Sequence, residues 1–207
     1  MNKLIIIGAG GHGKVIADIA QKLGRYEEIV FLDDRGVKEE LGFPIIGKTS
    51  DVQKYVNSAD FFVAIGDRGV RCEFIEKLLS IGATVPTLIH PSAIIGSNVK
   101  IGVGSAIMAG VVIGPCAVIG KGVIVNTCSS IDHDCKVGDY CHISVGVHLA
   151  GTVTLGKKVI IGAGAIVKNN VNIADDCILD AGAVVIEDVD LAGTIVSVSV
   201  KRVEGDK

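Results

Sequence analysis

The sequence predicts a chain in two parts: a small α/β domain, then a parallel β-helix built from six-residue repeats. Three observations carry this reading. From Ile95 to Leu191 an aliphatic residue recurs at every sixth position, through Ile101, Ile107, Ile113, Ile119, Val125, Ile131, Val137, Ile143, Leu149, Leu155, Ile161, Val167, Ile173, Leu179 and Val185. Four residues after each anchor, through Val189, sits another small or β-branched residue, such as Ser105, Ala117, Ser129 or Cys135. Before residue 88 the hexad is absent, and glycine-punctuated strand and helix patterns alternate instead. A period of six suits neither an amphipathic helix nor a lone strand. It suits a triangular coil of three hexads whose anchor and i+4 residues stack inside. So narrow an interior takes Ile, Val, Ala, Ser and Cys, in keeping with 4% aromatic residues and no Trp.

In chain order, residues 4–7 (Leu-Ile-Ile-Ile) read as a strand, and Gly8-Ala9-Gly10-Gly11-His12-Gly13 as a glycine-rich turn. Val15, Ile16, Ile19, Ala20 and Leu23 form a helical stripe that Gly24 stops. Residues 29–32 form a second strand ending in Asp33-Asp34. Residues 61–65 form a third, followed by Gly66-Asp67 and a helix over 71–79. Such alternation implies a small parallel sheet with helices on its faces. The glycine run matches G-x-G-x-x-G between strand and helix, with Asp33 twenty residues beyond Gly13. Glycines there let backbone N–H groups approach a phosphate at a helix N-terminus. The domain is about half a full dinucleotide fold, which favours a nucleotide other than NAD. The bland alternative is a tight turn without a ligand. His12 adds a phosphate donor that a plain turn does not need.

The repeat breaks its own habit between Val125 and Gly151. The residue after the anchor is often Gly, but here it is Asn126, Asp132, Ser144 and Ala150, and His133, His142 and His148 gather within sixteen residues. Polar exceptions in a regular scaffold mark a site. Asp132-His133-Asp134 offers an imidazole whose pKa lies near working pH, beside carboxylates that hold its tautomer and raise its basicity. That set suits proton removal from an attacking amine or hydroxyl. Positions 145, 163 and 181 differ by one coil each, so their amides form a column up one edge. His148 reads as a surface residue.

The composition narrows the partners. A formal charge of −3 without a basic run argues against nucleic acid. No stretch approaches the roughly 18 apolar residues of a membrane span, and the N-terminus is too quickly broken by glycine for a signal peptide. Cys135, Cys141 and Cys177 fall in interior slots, which predicts a reduced, cytoplasmic protein. Cys128, His133, Cys135, Cys141 and His142 match no common zinc spacing, so no metal is expected.

The whole pattern resembles one bacterial family of hexapeptide-repeat acyltransferases. It comprises sialic acid O-acetyltransferases and UDP-4-amino-sugar N-acetyltransferases of surface-glycan pathways. The resemblance rests on Ile7-Gly8-Ala9-Gly10-Gly11-His12-Gly13, Asp33-Asp34, the hexads and the linker Thr87-Leu88-Ile89-His90-Pro91-Ser92-Ala93. It implies a Rossmann-like nucleotide-sugar domain over residues 1–87 and a left-handed β-helix over 88–207. It implies acetyl-CoA as co-substrate, no metal, and a homotrimer with sites in the clefts between copies. It places the general base on His133, its supporting carboxylate on Asp134 and a polar neighbour on Asn126. Acetyl-CoA contacts fall on His142, Gly151, Ala163 and Ala181. Gly10, Gly11, His12, Asp33, Asp34 and Gly66 fall near the UDP-sugar. His90 is expected to cap the turn at Pro91. The chain has Ser197-Val198-Ser199-Val200-Lys201-Arg202 where many relatives have Gly-Val-Pro-Ala before Lys-Arg. Three functions stay open: N-acetylation of a UDP-4-amino-4,6-dideoxysugar, O-acetylation of a sialic acid or similar sugar, and non-catalytic nucleotide binding in an assembly.

Overall fold

The computed structural model describes residues 2–196, so the segment Ser197 to Arg202 lies outside the described residues. The first domain runs β1 (Lys3–Ile7), α1 (Gly11–Leu23), β2 (Glu28–Leu32), β3 (Glu39–Glu40), β4 (Phe43–Gly47), β5 (Asp60–Val63) and α2 (Arg68–Ser80). The sheet order is β3-β4-β2-β1-β5, parallel throughout except for β3 against β4. Leu4 and Ile6 of β1 face one core and Ile5 and Ile7 the other, as a parallel sheet covered on both sides requires. The expected strands are present. The sequence reading missed β3 and β4, because Phe43-Pro44-Ile45-Ile46-Gly47 carries the turn residues Pro and Gly. Pro44 is tolerated because the parallel pairing of β4 with β2 begins only at Ile45, so no ladder bond needs its missing N–H. α1 starts at Gly11, ahead of the apolar stripe, so His12 and Gly13 occupy its first turn.

From Leu88 onward the chain winds as a left-handed parallel β-helix of two-residue strands. Wall one stacks Ile94–Ile95, Val112–Ile113, Ser130–Ile131, His148–Leu149, Ile166–Val167 and Val184–Val185. Wall two stacks Lys100–Ile101, Val118–Ile119, Lys136–Val137, Thr154–Leu155 and Asn172–Ile173. Wall three begins at Leu88–Ile89 and climbs through His142–Ile143 to Ile195–Val196. From Ile107 to Val185 the anchors are buried, as are their i+4 partners up to Ala183. Polar i+4 residues are satisfied in one repeated way. Ser105 Oγ, Ser129 Oγ, Cys135 Sγ and Cys141 Sγ each donate to the carbonyl fifteen residues on, at 2.9–3.1 Å. A small donor in the narrow interior thus costs no unsatisfied group. His90 caps its turn as expected, Nδ1 accepting from Ser92 N–H at 3.0 Å.

The anchor pattern reaches Leu191 in the sequence, but the fold leaves register first. Leu191 is 76% exposed. Strand partners are eighteen residues apart up to Val185, then Ile178 pairs with Ile195 and Ile173 bridges Val189. The last coil is short, so the hexad phase there no longer points inward.

The glycines that follow anchors have a steric cause. A Cβ on Gly138 would lie 2.3 Å from the Gly156 carbonyl oxygen, and one on Gly102 2.5 Å from the Gly120 carbonyl carbon. At these edges one coil rests directly on the next. Gly138→Ala is therefore expected to destabilise the fold by at least ~1–3 kcal/mol, the usual cost of overpacking. A denaturation midpoint unchanged from the unaltered chain would contradict this packing account.

Candidate active site

The edge between walls one and two carries His133, in the turn after Ile131. Its Nδ1 lies 2.8 Å from Asp134 Oδ2, and its backbone N–H donates to Asp132 Oδ1 at 2.7 Å. Asp134 occupies the left-handed corner position (φ 58°), which recurs once in every hexad and which Asp tolerates. The local turn therefore orients the carboxylate along the imidazole. Carboxylate acceptance at Nδ1 assigns the proton there and leaves Nε2 as the free base. The hydrogen bond to Asp134, then the charge of Asp132, hold the His133 pKa above its ordinary value. The side chain is exposed. Gly151, one coil up, lies beneath the ring: a Cβ there would be 2.6 Å from His133 Nε2. The N–H groups of Gly151, Ala163 and Ala181 meet no acceptor among the described residues.

His142 stands elsewhere, on the outward face of wall three. It is half-buried, and its buried Nε2 has no hydrogen-bond partner among the described residues. The same holds for His12, across the domain boundary. Burial lowers both pKa values, that of His12 to about 3 with help from His142 and Arg71, and that of His142 to about 4 with help from Arg71. The two imidazoles therefore share one neutral, buried neighbourhood that the sequence reading had treated as two subsites. Asn126, Val145, Ala163 and Ala181 line the next edge, between walls three and one. Asn126 Oδ1 accepts from Thr127 N–H at 2.8 Å. Within one chain, His133, Asp134 and Gly151 come together, while Asn126, His142, Ala163 and Ala181 gather on or beside the far edge of wall one.

In the first domain the glycines divide by role. A Cβ on Gly13 would meet the Gly8 carbonyl at 2.1 Å, and Gly8 has φ 95°, so both serve the turn. Gly10 and Gly11 have nothing within 4 Å of a would-be Cβ. Open space above them suits a phosphate at the start of α1. Asp33 is committed internally: Oδ2 accepts from Ala9 N–H at 2.7 Å and Oδ1 from Arg35 Nε at 2.8 Å. Burial pushes its pKa up, but these bonds outweigh it and hold the carboxyl below its usual range. Asp34 holds Thr49 through its N–H at 3.0 Å and its hydroxyl at 2.7 Å. Both carboxylates border a cavity of about 240 Å³ with Lys38, Ile45 and Lys48. It lies at the carboxyl ends of β2 and β4, the ligand side of a parallel sheet. A larger cavity, about 370 Å³, opens at the opposite end of the sheet beside Lys3 and Asp60, where no functional group identified in the sequence converges. Gly66, after β5, gives its carbonyl to Arg71 Nη1 at 2.6 Å. The reading missed Arg71. Its signal was an arginine in the buried stripe of α2, with Ile75 and Leu78. Arg35, against the glycine-rich turn, was also missed.

An imidazole–carboxylate pair on a hexapeptide β-helix, joined to a Rossmann-like domain, defines an acyltransferase of the hexapeptide-repeat class. Residues 3–78 match the family model described as the PglD N-terminal domain. The fold matches the acetyltransferase domain of PglB from Neisseria gonorrhoeae in complex with acetyl coenzyme A. The TM-score is 0.90 and the identity 41%, over 94% of this chain and 96% of that one. It also matches PerB from Caulobacter crescentus in complex with CoA and GDP-perosamine, with a TM-score of 0.84 and 35% identity over 96% and 93%. UDP-N-acetylbacillosamine N-acetyltransferase of Bacillus subtilis is 34% identical over 53% of this chain and 52% of its own length. GDP-perosamine N-acetyltransferase of Escherichia coli O157:H7 is 30% identical over 68% and 66%. The chain thus spans about half the length of the first of these two relatives and two thirds of the second. The chain belongs to the hexapeptide-repeat sugar N-acetyltransferase family.

The electrostatics give a direct test. Imidazole titration followed by NMR should find His133 protonating above its ordinary pH, while His12 and His142 stay neutral down to about pH 4. Their depressed pKa values contribute stability that is full above the unfolded value of about 6.5 and is lost as pH falls toward the folded values. Ordinary titration of His142 near pH 6.5 would contradict the buried placement.

Proposed function

We propose that this protein transfers the acetyl group of acetyl-CoA to the amino group of a nucleotide-linked 4-amino-4,6-dideoxysugar, with UDP as the nucleotide. The observation that carries the reading is the exposed His133, with Nδ1 bound to Asp134 and Nε2 free above Gly151. Nε2 takes the amine proton as nitrogen attacks the thioester carbonyl. The Gly151 N–H stabilises the oxyanion. The C–S bond then breaks, and the CoA thiolate leaves with a proton from His133. The orphaned Nε2 of His142 and the amides of Ala163 and Ala181 suit the acyl donor and its pantetheine arm. Gly10, Gly11 and His12 suit the diphosphate, and the cavity beside Asp33 and Asp34 suits the nucleoside. Similarity to UDP-N-acetylbacillosamine N-acetyltransferase of Bacillus subtilis supports UDP, and the assay below sets it against GDP.

A trimer completes the site. Wall one turns Ile94 (64% exposed), Val112, Ile166 and Val184 (64%) outward around the Ser130–His148 pair. An exposed apolar column along wall one suits contact with another copy. One edge of wall one carries His133 and Gly151, and the other carries Asn126, Ala163 and Ala181, with His142 nearby. Packing around a three-fold axis joins the first edge of one copy to the second edge of its neighbour. Six unpaired cysteines and the absence, among the described residues, of any helix long and apolar enough to cross a membrane agree with a cytoplasmic reaction.

Thiol release from acetyl-CoA, assayed with UDP- and GDP-linked 4-amino sugars and with free sialic acid, tests the reading. The UDP sugar should be preferred; turnover of sialic acid alone would overturn N-acetylation. His133→Ala should lower kcat by about 10²–10⁴. Because His133 acts unprotonated and its pKa is raised, kcat/KM should rise with pH through a limb above 6.5. Asp134→Ala should move that limb to lower pH. A His133→Ala enzyme of near-normal turnover would place the base elsewhere.

A further inference from the structure

Helix α2 lies along the edge between walls two and three, where the left-handed corner residues Gly104, Gly122, Tyr140, Lys158 and Asp176 stack one per coil. Ile75 packs against this corner, its Cδ1 within 3.2 Å of a would-be Cβ on Gly104 and 2.9 Å of one on Gly122. One turn toward the helix N-terminus, Arg71 reaches the next coil. Near the start of the helix Arg68 donates to the carbonyls of Lys158 and Asp176. Ile75, Arg71 and Arg68 thus climb the β-helix in step with its coils, each meeting a higher corner.

Arg71 differs from Arg68 in what it ties together. It is 1% exposed. Nε donates to Gly122 O at 2.8 Å, and Nη2 donates to Tyr140 O at 2.8 Å and Cys141 O at 3.4 Å. Nη1 donates to Ile65 O at 3.0 Å and Gly66 O at 2.6 Å. The planar fork therefore joins two coils of the β-helix to the loop after β5, at the carboxyl edge of the sheet. Tyr140 and Cys141 immediately precede His142. A buried cation without a carboxylate partner among the described residues is an expensive way to dock two domains, and an apolar side chain would hold them at less cost. Its presence there points to a use beyond stability.

We propose that Arg71 is a positioning residue for acyl transfer: it fixes the nucleotide-binding loop of the first domain against the His142 rung, so that sugar and acyl donor meet in one geometry. This rests on the acetyltransferase reading above. The ionisable groups near it are His12, His142, Asp67, Cys72, Tyr140 and Cys141. Its charge also helps to keep His12 and His142 neutral.

The test uses the full chain with Arg71→Met, Arg71→Lys and Arg68→Ala, measuring steady-state kinetics with UDP- and GDP-linked 4-amino sugars, imidazole titration by NMR, and the denaturation midpoint. Arg71→Met should lower kcat/KM about 10²-fold, the scale of a misplacement of about 1 Å, and should let His12 and His142 protonate at higher pH. Arg71→Lys keeps the charge but not the fork, so it should keep the imidazoles neutral and lose an intermediate share of kcat/KM. Arg68→Ala should lower the midpoint with kcat/KM little changed. If Arg71→Met does not fold, Arg71→Lys decides: normal kcat/KM overturns the proposal. Failure of both to fold also overturns it, marking Arg71 as a folding residue. If the unaltered chain acetylates none of the sugars, the functional reading fails, while unshifted imidazoles in a folded Arg71→Met would separately overturn its share in keeping His12 and His142 neutral, which burial chiefly does.

Discussion

Coil-on-coil stacking at an interval of eighteen residues is the constraint on which everything else depends. Each coil hydrogen-bonds to the next along three walls, and the glycine edges bring successive backbones into direct contact. Two positions in each hexad are committed inward and one is held in the left-handed conformation. The residues that remain are the two after an anchor, the first of them often glycine where successive coils touch, and the one facing out of a wall. Asn126, His133, His142, Gly151, Ala163 and Ala181 all fall at such positions. The scaffold thereby holds chemistry in fixed register without asking the reactive residues to stabilise it.

The same separation explains what could be read from the sequence. The β-helix was legible because its period reports directly on a narrow interior. The phase failed only at Leu191, where the coil shortens and aliphatic residues recur by sequence alone. The Asp132-His133-Asp134 segment was legible as a departure from the pattern, and the pairing of His133 with Asp134 needs only one corner turn. β3 and β4 were hidden by Pro44 and Gly47, whose turn chemistry outweighed two isoleucines. The internal commitments of Asp33 and Asp34 were invisible because their partners Ala9, Arg35 and Thr49 are assembled by the fold. The shared neighbourhood of His12 and His142 could not be read either, since the two residues lie in different domains 130 positions apart.

The imidazoles divide by environment. His133 sits in water beside two carboxylates and is made more basic. His12 and His142, half-buried with Nε2 shut off from water near a cation, are kept neutral. Under the proposed reaction this separates a group that moves a proton from groups that only form hydrogen bonds. It matches the general rule that opposed pKa environments mark opposed roles. The docking of α2 along one edge sets this contrast, because it buries wall three beside the first domain and leaves the edge between walls one and two open.

The central claim is that a working site draws His133 from one copy and His142 from another. Subunit complementation tests it most directly. Separately purified His133→Ala and His142→Ala chains, each poorly active at low acetyl-CoA, are dissociated, mixed in equal amounts and reassembled. If sites are shared between copies, about a quarter of them regain both residues, and activity should recover to that order of the unaltered enzyme. Activity of the reassembled mixture no greater than the mean of its two components would contradict the account.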